Sequence, residues 1–501
     1  MTPSSFRRHL AVLRRLVVAL LASPVTVRGT HAQGVPPQLP CDCTGTFDRT
    51  VARIEQDYVA FPLETRPPRD TAWRAHVAAL RPQAAGRDAS SCSWLLRSLV
   101  RFFRDGHLLV IDMPARDTAG IEQRRRARPM VDVADAQGRW NPALLHARLR
   151  AARARGEELA PVEGIWRGPG YRVGVLRDPH DGNRATGVLL DADSGRWTPG
   201  QVRADFVRVD GEWRATVWDD DFTPRTAPVE FSRGALMRMA PLLWGRLDSA
   251  ATLAMVHADD PRRPTVAYPD DSSAVLSVVT FDPSYGRALA ALVEAEWERL
   301  RTRPHLVIDL RGNEGGSSHQ VQPLLPFLWR APDSSSVARL PEPSQALVRS
   351  SAATIAFWER AGWAPRGLAD RLRSSPPGAL VPFDPSARRL LPPPPARLSR
   401  PDQRVDILVD GATVSAAEQV VLWARALGRA RIIGEPTGGS IDYQSAWLSR
   451  VACAEMGQVV SVPLIATSAA LPNGGFNARG IIPDRRLRTD GAWWREAARE
   501  R

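Results

Sequence analysis

The 501-residue chain contains no lysine, because all 67 of its basic residues are arginine. A lysine general base is therefore excluded, since arginine stays protonated and does not accept a proton at physiological pH. Aromatic residues make up only 7% of the chain and form no stripe with the basic residues. The formal net charge of +13 therefore does not indicate a nucleic-acid partner.

Long apolar runs are also missing outside the N-terminus. There, a basic opening with Arg7 and Arg8 precedes an apolar run from Leu16 to Val27 and a small-residue exit at Ala32. This pattern predicts a secretory signal over residues 1–32, too short for a membrane-spanning helix. Pro40 before Cys41 argues against lipidation. We expect an exported protein, periplasmic or secreted, without stable membrane insertion.

The chain has four cysteines, at positions 41, 43, 92 and 453. Disulfides persist outside the cytoplasm, and four cysteines allow three pairings between which the sequence does not choose. A pair between Cys43 and Cys92 is preferred, because both flank one helical region. A Cys-x-Cys pattern without a nearby histidine is a poor zinc signature, so no metal and no cofactor are predicted.

Periodicity divides the chain into three blocks after the signal. Residues 41–112 show apolar residues at helical spacing and predict a small helical domain. Residues 155–235 alternate with period two, and Asp210-Gly211 separates two such runs as a hairpin turn would, so we expect an antiparallel β module. Residues 245–490 alternate strands with helices and predict an α/β domain, interrupted by a proline-rich insertion over 333–404 that is expected to cover a surface.

Two short segments of the α/β block carry the chemistry. An apolar strand runs into Gly315-Gly316, and a second, Val405 to Asp410, runs towards Ser415-Ala416. A serine at a strand-to-helix junction presents its hydroxyl at a helix N-terminus, and glycines at a strand end leave bare amides that can bind an oxyanion. Taken singly, each has an ordinary structural explanation, since a serine there is commonly an N-cap and Gly-Gly commonly forms a turn.

In combination these motifs resemble the S41 serine peptidases, the family of the C-terminal processing proteases and the tricorn core. The resemblance covers about residues 265–330 and 403–490, and the helical lead-in is similar to an exported branch of the family. It implies a ClpP/crotonase-like spiral core, a serine nucleophile at Ser415 and an oxyanion hole from the amides of Gly315, Gly316 and Ala416. Four motifs occur in family order, and they begin at Ile308, Thr413, Gly428 and Gly480.

The missing lysine decides between the two branches of the family. The processing-protease branch uses a lysine at the position that Ser440 occupies here. The tricorn-like branch uses a histidine from an earlier domain, and the resemblance places His107 in that role. His319, just after the glycine motif, is the rival candidate, whereas His305 precedes a buried strand and is expected to be structural.

A third group should orient the histidine. The tricorn-like glutamate is replaced by Asn477, and the serine that precedes the histidine is replaced by Gly106. Asn477 can orient an imidazole without stabilising its charge, and Asp442 is the predicted substitute. Glu418 is interpreted as a first-turn helix residue.

The sequence therefore predicts an exported serine endopeptidase that acts on protein or peptide substrates through Ser415 and His107. Loss of the family's acid motivates an alternative, an inactive member of this fold that binds peptides or apolar ligands. A further possibility is that the β module recognises the substrate, although it lacks a PDZ-type carboxylate loop. The substrate's identity and the oligomeric state are left open.

Overall fold

The computed structural model describes residues 42–87, 89–112, 118–193, 195–239, 242–248, 256–329, 345–385, 394–450, 458–468, 471–473 and 475–487. The predicted signal over residues 1–32, Cys41 and Cys453 lie outside these ranges. Within them, every helix falls short of the length and apolar content that a bilayer crossing requires. The predicted disulfide between Cys43 and Cys92 is confirmed.

The N-terminal block is helical, as predicted. Its helices are α1 (Cys43–Asp57), α2 (Phe61–Glu64), α3 (Arg69–Leu80) and α4 (Ala89–Val100). A 3-10 turn, Arg101–Phe103, follows α4 and leads to strand β1 (Leu109–Asp112). Asp42 caps α1 by accepting a hydrogen bond from the amide of Gly45, as an N-cap aspartate does.

This helical block shares its core with the C-terminal half of the chain. Phe47 and Leu96 pack in one buried cluster with Tyr443 and Val460. Strand β1 pairs antiparallel with a strand that spans Gln458–Ala466. The helical block therefore shares a core with the C-terminal half and does not form a separate one. Local periodicity gives no signal for the pairing of β1 with that distant strand.

A nine-stranded antiparallel sheet forms the β module and extends beyond the predicted boundary at residue 235. Helices α5 (Thr118–Arg126), α6 (Val133–Gln137) and α7 (Pro142–Ala154) precede it. Its strands are β2 (Gly164–Gly168), β3 (Tyr171–Arg177), β4 (Arg184–Ala192), β5 (Val202–Val209), β6 (Glu212–Trp218), β7 (Pro224–Pro228), β8 (Glu230–Ser232), β9 (Leu236–Met239) and β10 (Leu242–Arg246). The predicted hairpin joins β5 to β6, with positive φ at both Asp210 and Gly211.

The predicted α/β fold class is confirmed by a six-stranded sheet at the centre of residues 265–486. Strands β12, β13, β16 and β17 run parallel, and the order is β11-β12-β13-β16-β17-β20. Every residue of β13 is buried, as expected for a parallel strand covered on both faces. The bounds of this block are β11 (Thr265–Ala267), β12 (Ser273–Ser277), α8 (Pro283–Ala295), α9 (Trp297–Thr302), β13 (His305–Asp309), a 3-10 turn (Ser318–Leu324), α10 (Leu325–Leu328), β16 (Arg404–Val409), α13 (Ala416–Leu427), β17 (Ala430–Gly434) and β20 (Arg485–Arg486).

The insertion contributes strands as well as surface segments. Its elements are β14 (Leu347–Arg349), α11 (Ala352–Arg360), α12 (Leu368–Arg373) and β15 (Leu380–Pro382). Strand β14 pairs with β15 and with β19 (Gln458–Ala466), which also pairs with β18 (Tyr443–Arg450) and β1. The insertion is thus part of a second sheet, an arrangement that differs from the expected surface cover.

Candidate active site

Ser415 lies between the end of β16 and the first residue of α13. Its backbone adopts φ 58° and ψ −120°, a conformation that residues other than glycine rarely adopt. Such a residue costs about 1–3 kcal/mol and persists where the surroundings hold it. The Ser415 amide donates to the Glu418 carboxylate over 3.0 Å. The hydroxyl is thereby presented at the N-terminus of α13.

His107 lies against this serine although 308 positions separate the two in sequence. Its Nε2 is 2.9 Å from Ser415 Oγ. The loop that carries His107 runs from the 3-10 turn after α4 into β1, and β1 is fixed by its pairing with β19. The N-terminal helical block therefore supplies the imidazole to a serine of the central sheet.

A buried tyrosine, Tyr58, holds the loop that carries His107, and Tyr443 packs against it. Asp105 accepts the backbone N–H of His107 at 2.9 Å and the hydroxyl of Tyr58 at 2.6 Å. The Tyr443 hydroxyl donates to Glu64 at 2.8 Å, and the rings of Tyr58 and Tyr443 meet edge to face. Burial raises the pKa of Asp105 to about 7, although the Tyr58 hydrogen bond opposes the rise. Sequence reasoning missed Asp105, which anchors the backbone that positions the imidazole.

The second ring nitrogen of His107 has no side-chain acceptor among the described residues. Nδ1 is buried and makes no hydrogen bond of ordinary geometry. Burial lowers the pKa of His107, while the backbone of Tyr443 and the charge of Glu418 oppose this effect. A depressed pKa keeps the imidazole neutral at pH 7, ready to accept a proton.

The glycine motif lies beside the serine, but its two glycines differ in role. The Gly315 amide donates to Asn313 Oδ1 at 2.9 Å, which differs from its predicted role as an oxyanion donor. A Cβ added to Gly315 would lie 2.6 Å from the Cβ of Ser415, and φ is +83°. Gly315 therefore permits the close approach of the two loops. Within the described residues, the amides of Gly316 and Ala416 donate to no protein acceptor.

Glu418 connects the nucleophile to the loop after β17. Its carboxylate is fully buried and accepts from the amide of Ser440 at 2.7 Å, the amide of Gly439 at 2.8 Å and the Thr437 hydroxyl at 2.5 Å. With the Ser415 amide, these make four donors on one carboxylate. The interpretation of Glu418 as a first-turn residue describes its place in α13 but misses this function. These contacts join Glu418 to a loop about twenty residues further along the chain, so the sequence around Glu418 does not predict them.

Asp442 and Asn477, the predicted orienting residues, contact each other. The Asn477 amide donates to Asp442 Oδ2 at 2.8 Å, and the Asn477 carboxamide donates to the carbonyl of Phe103 at 3.0 Å. Neither side chain forms a hydrogen bond with His107 in the described part of the chain. Their contacts support the loops on either side of the histidine. The Ser440 side chain occupies the space that a side chain at position 106 would fill.

The β module contacts the glycine motif from below. Arg233, buried at the turn between β8 and β9, donates to the carbonyls of Arg311 at 2.8 Å and Asp309 at 2.9 Å. Arg238 donates to the carbonyl of Gly312 at 2.5 Å. Burial lowers the pKa of the Arg233 guanidinium, against which the Asp309 charge acts. The backbone that enters Gly315-Gly316 is thus held by a different block of the molecule.

The remaining histidines considered from sequence lie apart from Ser415. His305 is buried, and its Nε2 is 2.9 Å from Asp406, as expected of a structural residue. His319 is exposed in the 3-10 turn after the glycine motif. Across the described ranges, no three His, Cys, Asp or Glu side chains are grouped as metal ligands.

Comparison with known proteins places this site in a family. The model of peptidase family S41 matches residues 273–487. No curated protein matches the chain. The chain is similar to the solved structure of mature CPAF, with 11% identity, a TM-score of 0.42 and coverage of 89% of this chain and 93% of the other. It is also similar to the photosystem II D1 C-terminal processing protease, with 13% identity, a TM-score of 0.34 and coverage of 89% and 92%.

A third solved structure, a putative S41 protease from Bacteroides fragilis, has 13% identity, a TM-score of 0.35 and coverage of 88% of this chain and 90% of the other. The matched residues 273–487 include both the glycine motif and Ser415. Residues 273–487 of the chain therefore match peptidase family S41.

Proposed function

We propose that the protein is an exported serine endopeptidase that hydrolyses peptide bonds through an acyl-enzyme on Ser415. The observation that carries the proposal is the 2.9 Å contact between His107 Nε2 and Ser415 Oγ. A nucleophile within hydrogen-bond reach of a neutral base is the arrangement that activates serine for acyl transfer. The family of residues 273–487 supports a peptidase in general.

In the first half of the proposed reaction, His107 Nε2 takes the proton of Ser415 Oγ as the oxygen attacks the carbonyl carbon. The amides of Gly316 and Ala416 hold the oxyanion, and losing one such donor typically costs about 3 kcal/mol of barrier. The imidazolium then gives its proton to the leaving nitrogen, the C–N bond breaks and the acyl-serine remains. The carbonyl of Tyr443 is proposed to hold the Nδ1 proton, and so the tautomer that leaves Nε2 free to accept.

In the second half, His107 removes a proton from a water molecule, which attacks the acyl-serine carbonyl. The tetrahedral intermediate collapses, the carboxylic acid product leaves, and the proton returns from His107 to Ser415 Oγ. Strain at Ser415, φ 58°, and the four hydrogen bonds on Glu418 support a preorganised nucleophile. The base is expected to contribute about 10²–10⁴ in rate.

Export is proposed on two observations. The first is the basic and then apolar sequence of residues 1–32. The second is the disulfide between Cys43 and Cys92, a bond that persists in oxidising compartments. Expression of the full chain followed by N-terminal sequencing of the exported fraction tests this. A new N-terminus after Ala32 is expected, whereas an uncleaved chain retained in the cytoplasm contradicts export.

Peptidase activity is tested with a denatured protein that carries many self-quenching fluorophores, so that its hydrolysis releases fluorescence. The enzyme in this assay is the chain lacking residues 1–32. We expect fluorescence release by the wild type and none by Ser415→Ala. Within the described residues no carboxylate accepts a hydrogen bond from His107 Nδ1, and this motivates the competing function, a binding protein without catalysis. That alternative is favoured if the folded wild type releases no fluorescence while peptides or apolar ligands raise its melting temperature.

A further inference from the structure

A cavity of about 650 Å³ is lined in part by Arg101 to Arg104, the residues that lead into the loop that carries His107. One wall comes from α3 and the 3-10 turn after α4, with Arg69, His76 and Arg101. The opposite wall is the segment around Asn477 and Arg479. Phe103 and Arg104 lie at its base, a few residues before His107. The cavity therefore does not include Ser415, but some of its lining residues directly precede His107.

Positive charge dominates this cavity. It is lined by four arginines and one carboxylate, Glu64. Glu64 is already engaged, by the Tyr443 hydroxyl at 2.8 Å and by Arg69 at 3.6 Å. The guanidinium groups of Arg101 and Arg104 make no hydrogen bond or ion pair with any described residue. Two guanidinium groups thus remain without a counter-charge at the edge of a concave site.

The cavity also has an aromatic surface. The ring of Phe102 lies 5.4 Å from the ring of His76, and the Arg69 guanidinium lies 5.2 Å above Phe102. His76 Nε2 lies 3.2 Å from the carbonyl of Ser98, so Nε2 is the donor and carries the hydrogen. Apolar surface beside unpaired guanidinium groups suits an organic anion better than a small inorganic ion.

We propose that this cavity binds a carboxylate group of a peptide, held by Arg101 and Arg104. Planar guanidinium groups match a carboxylate with two parallel charge-assisted hydrogen bonds, and the volume leaves room for the adjoining side chain against Phe102. The unpaired guanidinium groups of the cavity are the reason to expect an anion, whereas the choice of a peptide as the ligand rests on the proposed function.

Occupancy is expected to affect the active site, because Phe103 and Arg104, which line the cavity, directly precede the loop that carries His107. The Asn477 carboxamide donates to the carbonyl of Phe103 at 3.0 Å. This hydrogen bond joins two segments that line the cavity. A ligand on Arg104 contacts the loop three residues before His107. Binding therefore restrains the segment that positions the imidazole, and bound peptide is expected to speed acylation of Ser415.

Direct binding tests the proposal independently of catalysis. The chain lacking residues 1–32 and carrying Ser415→Ala is titrated into fluorescein-labelled peptides, and anisotropy is recorded. One peptide is neutral with a free terminal carboxylate, one carries glutamates with an amidated terminus, and one is neutral and amidated. Inorganic phosphate serves as a competitor. The double substitution Arg101→Gln and Arg104→Gln is compared with Arg360→Gln, an exposed arginine of α11.

We expect at least one carboxylate-bearing peptide to bind and the neutral amidated peptide not to bind. The two carboxylate-bearing peptides distinguish a chain terminus from an acidic side chain. The double substitution is expected to weaken binding at least about tenfold, and raising the salt concentration is expected to weaken it further. Arg360→Gln should leave the affinity unchanged.

Equal affinity of the double variant and the wild type overturns the proposal, as does displacement of the peptide by phosphate at peptide-like concentrations. Failure of every carboxylate peptide to bind the folded protein overturns it too. Labelling of Ser415 by a fluorophosphonate probe, measured on the wild-type chain lacking residues 1–32, separates this failure from that of the proposed function. If that chain is labelled while no carboxylate peptide binds the Ser415→Ala protein, the cavity proposal alone is overturned.

Discussion

The guanidinium of Arg233 lies 3.3 Å from the carboxylate of Asp309, and both side chains are fully buried. Arg233 belongs to the β module, whereas Asp309 ends the strand that leads into the glycine motif. Arg311 makes the second ion pair to the same carboxylate, at 2.8 Å. The β module thus forms part of the support of the loop that presents the Gly316 amide.

Replacement of this arginine by methionine, Arg233→Met, is expected to cost about 3 kcal/mol of unfolding free energy, because it leaves Asp309 with one cation in place of two. The rate of Ser415 labelling should fall as well, since the glycine motif loses two backbone contacts. Urea unfolding and labelling kinetics measure the two effects. Arg214→Met, on an exposed position of β6, is the control and should stay within about 0.5 kcal/mol. An Arg233→Met protein that equals this control contradicts the coupling.

The substitution Glu418→Gln changes an acceptor that serves four donors. Each carboxylate oxygen of Glu418 accepts two hydrogen bonds, and in glutamine an NH₂ group replaces one of these oxygens. At least one backbone N–H then loses its acceptor. We expect a loss of about 1–3 kcal/mol in unfolding free energy, together with slower labelling of Ser415. Glu212→Gln, on the exposed hairpin of the β module, is the matched control. Unchanged stability and labelling in Glu418→Gln would show that the carboxylate does not organise the site.

The lowered pKa of His107 predicts the acid limb of the activity profile. A protonated imidazole does not accept the Ser415 proton, so kcat/KM should fall as the pH drops through the pKa of His107. Because burial places this pKa below the ordinary 6.5, the midpoint is expected below pH 6.5. Initial rates between pH 4.5 and 8 measure it. His319→Ala should leave the profile unchanged, and an acid midpoint above 6.5 would contradict the buried neutral base.

The raised pKa of Asp105 predicts that its contribution to stability decreases as the pH rises, whereas activity should increase. Its pKa is raised from 3.8 to about 7, so the folded state binds a proton that the unfolded state has released between these values. Stability should therefore fall as the pH rises from about 4 to 8, by roughly 4 kcal/mol at 1.36 kcal/mol per pH unit. Urea unfolding at several pH values tests this. Asp105→Asn is expected to flatten the dependence, whereas Asp271→Asn, an exposed site, should not. An equally steep curve for Asp105→Asn refutes the assignment.

Sequence reasoning recovered the parts of the fold that leave a local signal. The buried strand β13 and the hairpin at Asp210-Gly211 were predicted because apolar runs and turn residues mark them. The pairing of β1 with β19 and the two strands of the insertion were missed. These pairings join segments far apart in the chain, and nothing within either segment specifies its partner.

The site divides in the same way. Ser415, Gly316 and His107 were predicted as site residues from motifs, and the structure brings the serine and the histidine within 2.9 Å of each other. Glu418, Asp105 and Arg233 were missed, since each acts through buried contacts that only the folded chain creates. Gly315 was assigned an amide donor's role, but Asn313 takes up that donor and the absence of a Cβ is what the site requires.

Labelling by a fluorophosphonate probe tests the central claim most directly, because the probe reacts with a serine only when a base activates it. The purified chain lacking residues 1–32 is incubated with the probe, and the modified peptide is identified by mass spectrometry. We predict a single adduct on Ser415, no adduct in Ser415→Ala, and labelling of His107→Ala slowed by about 10²–10⁴. A folded wild type that stays unlabelled, or a Ser415→Ala protein that labels equally well, would contradict the assignment of Ser415 as the nucleophile.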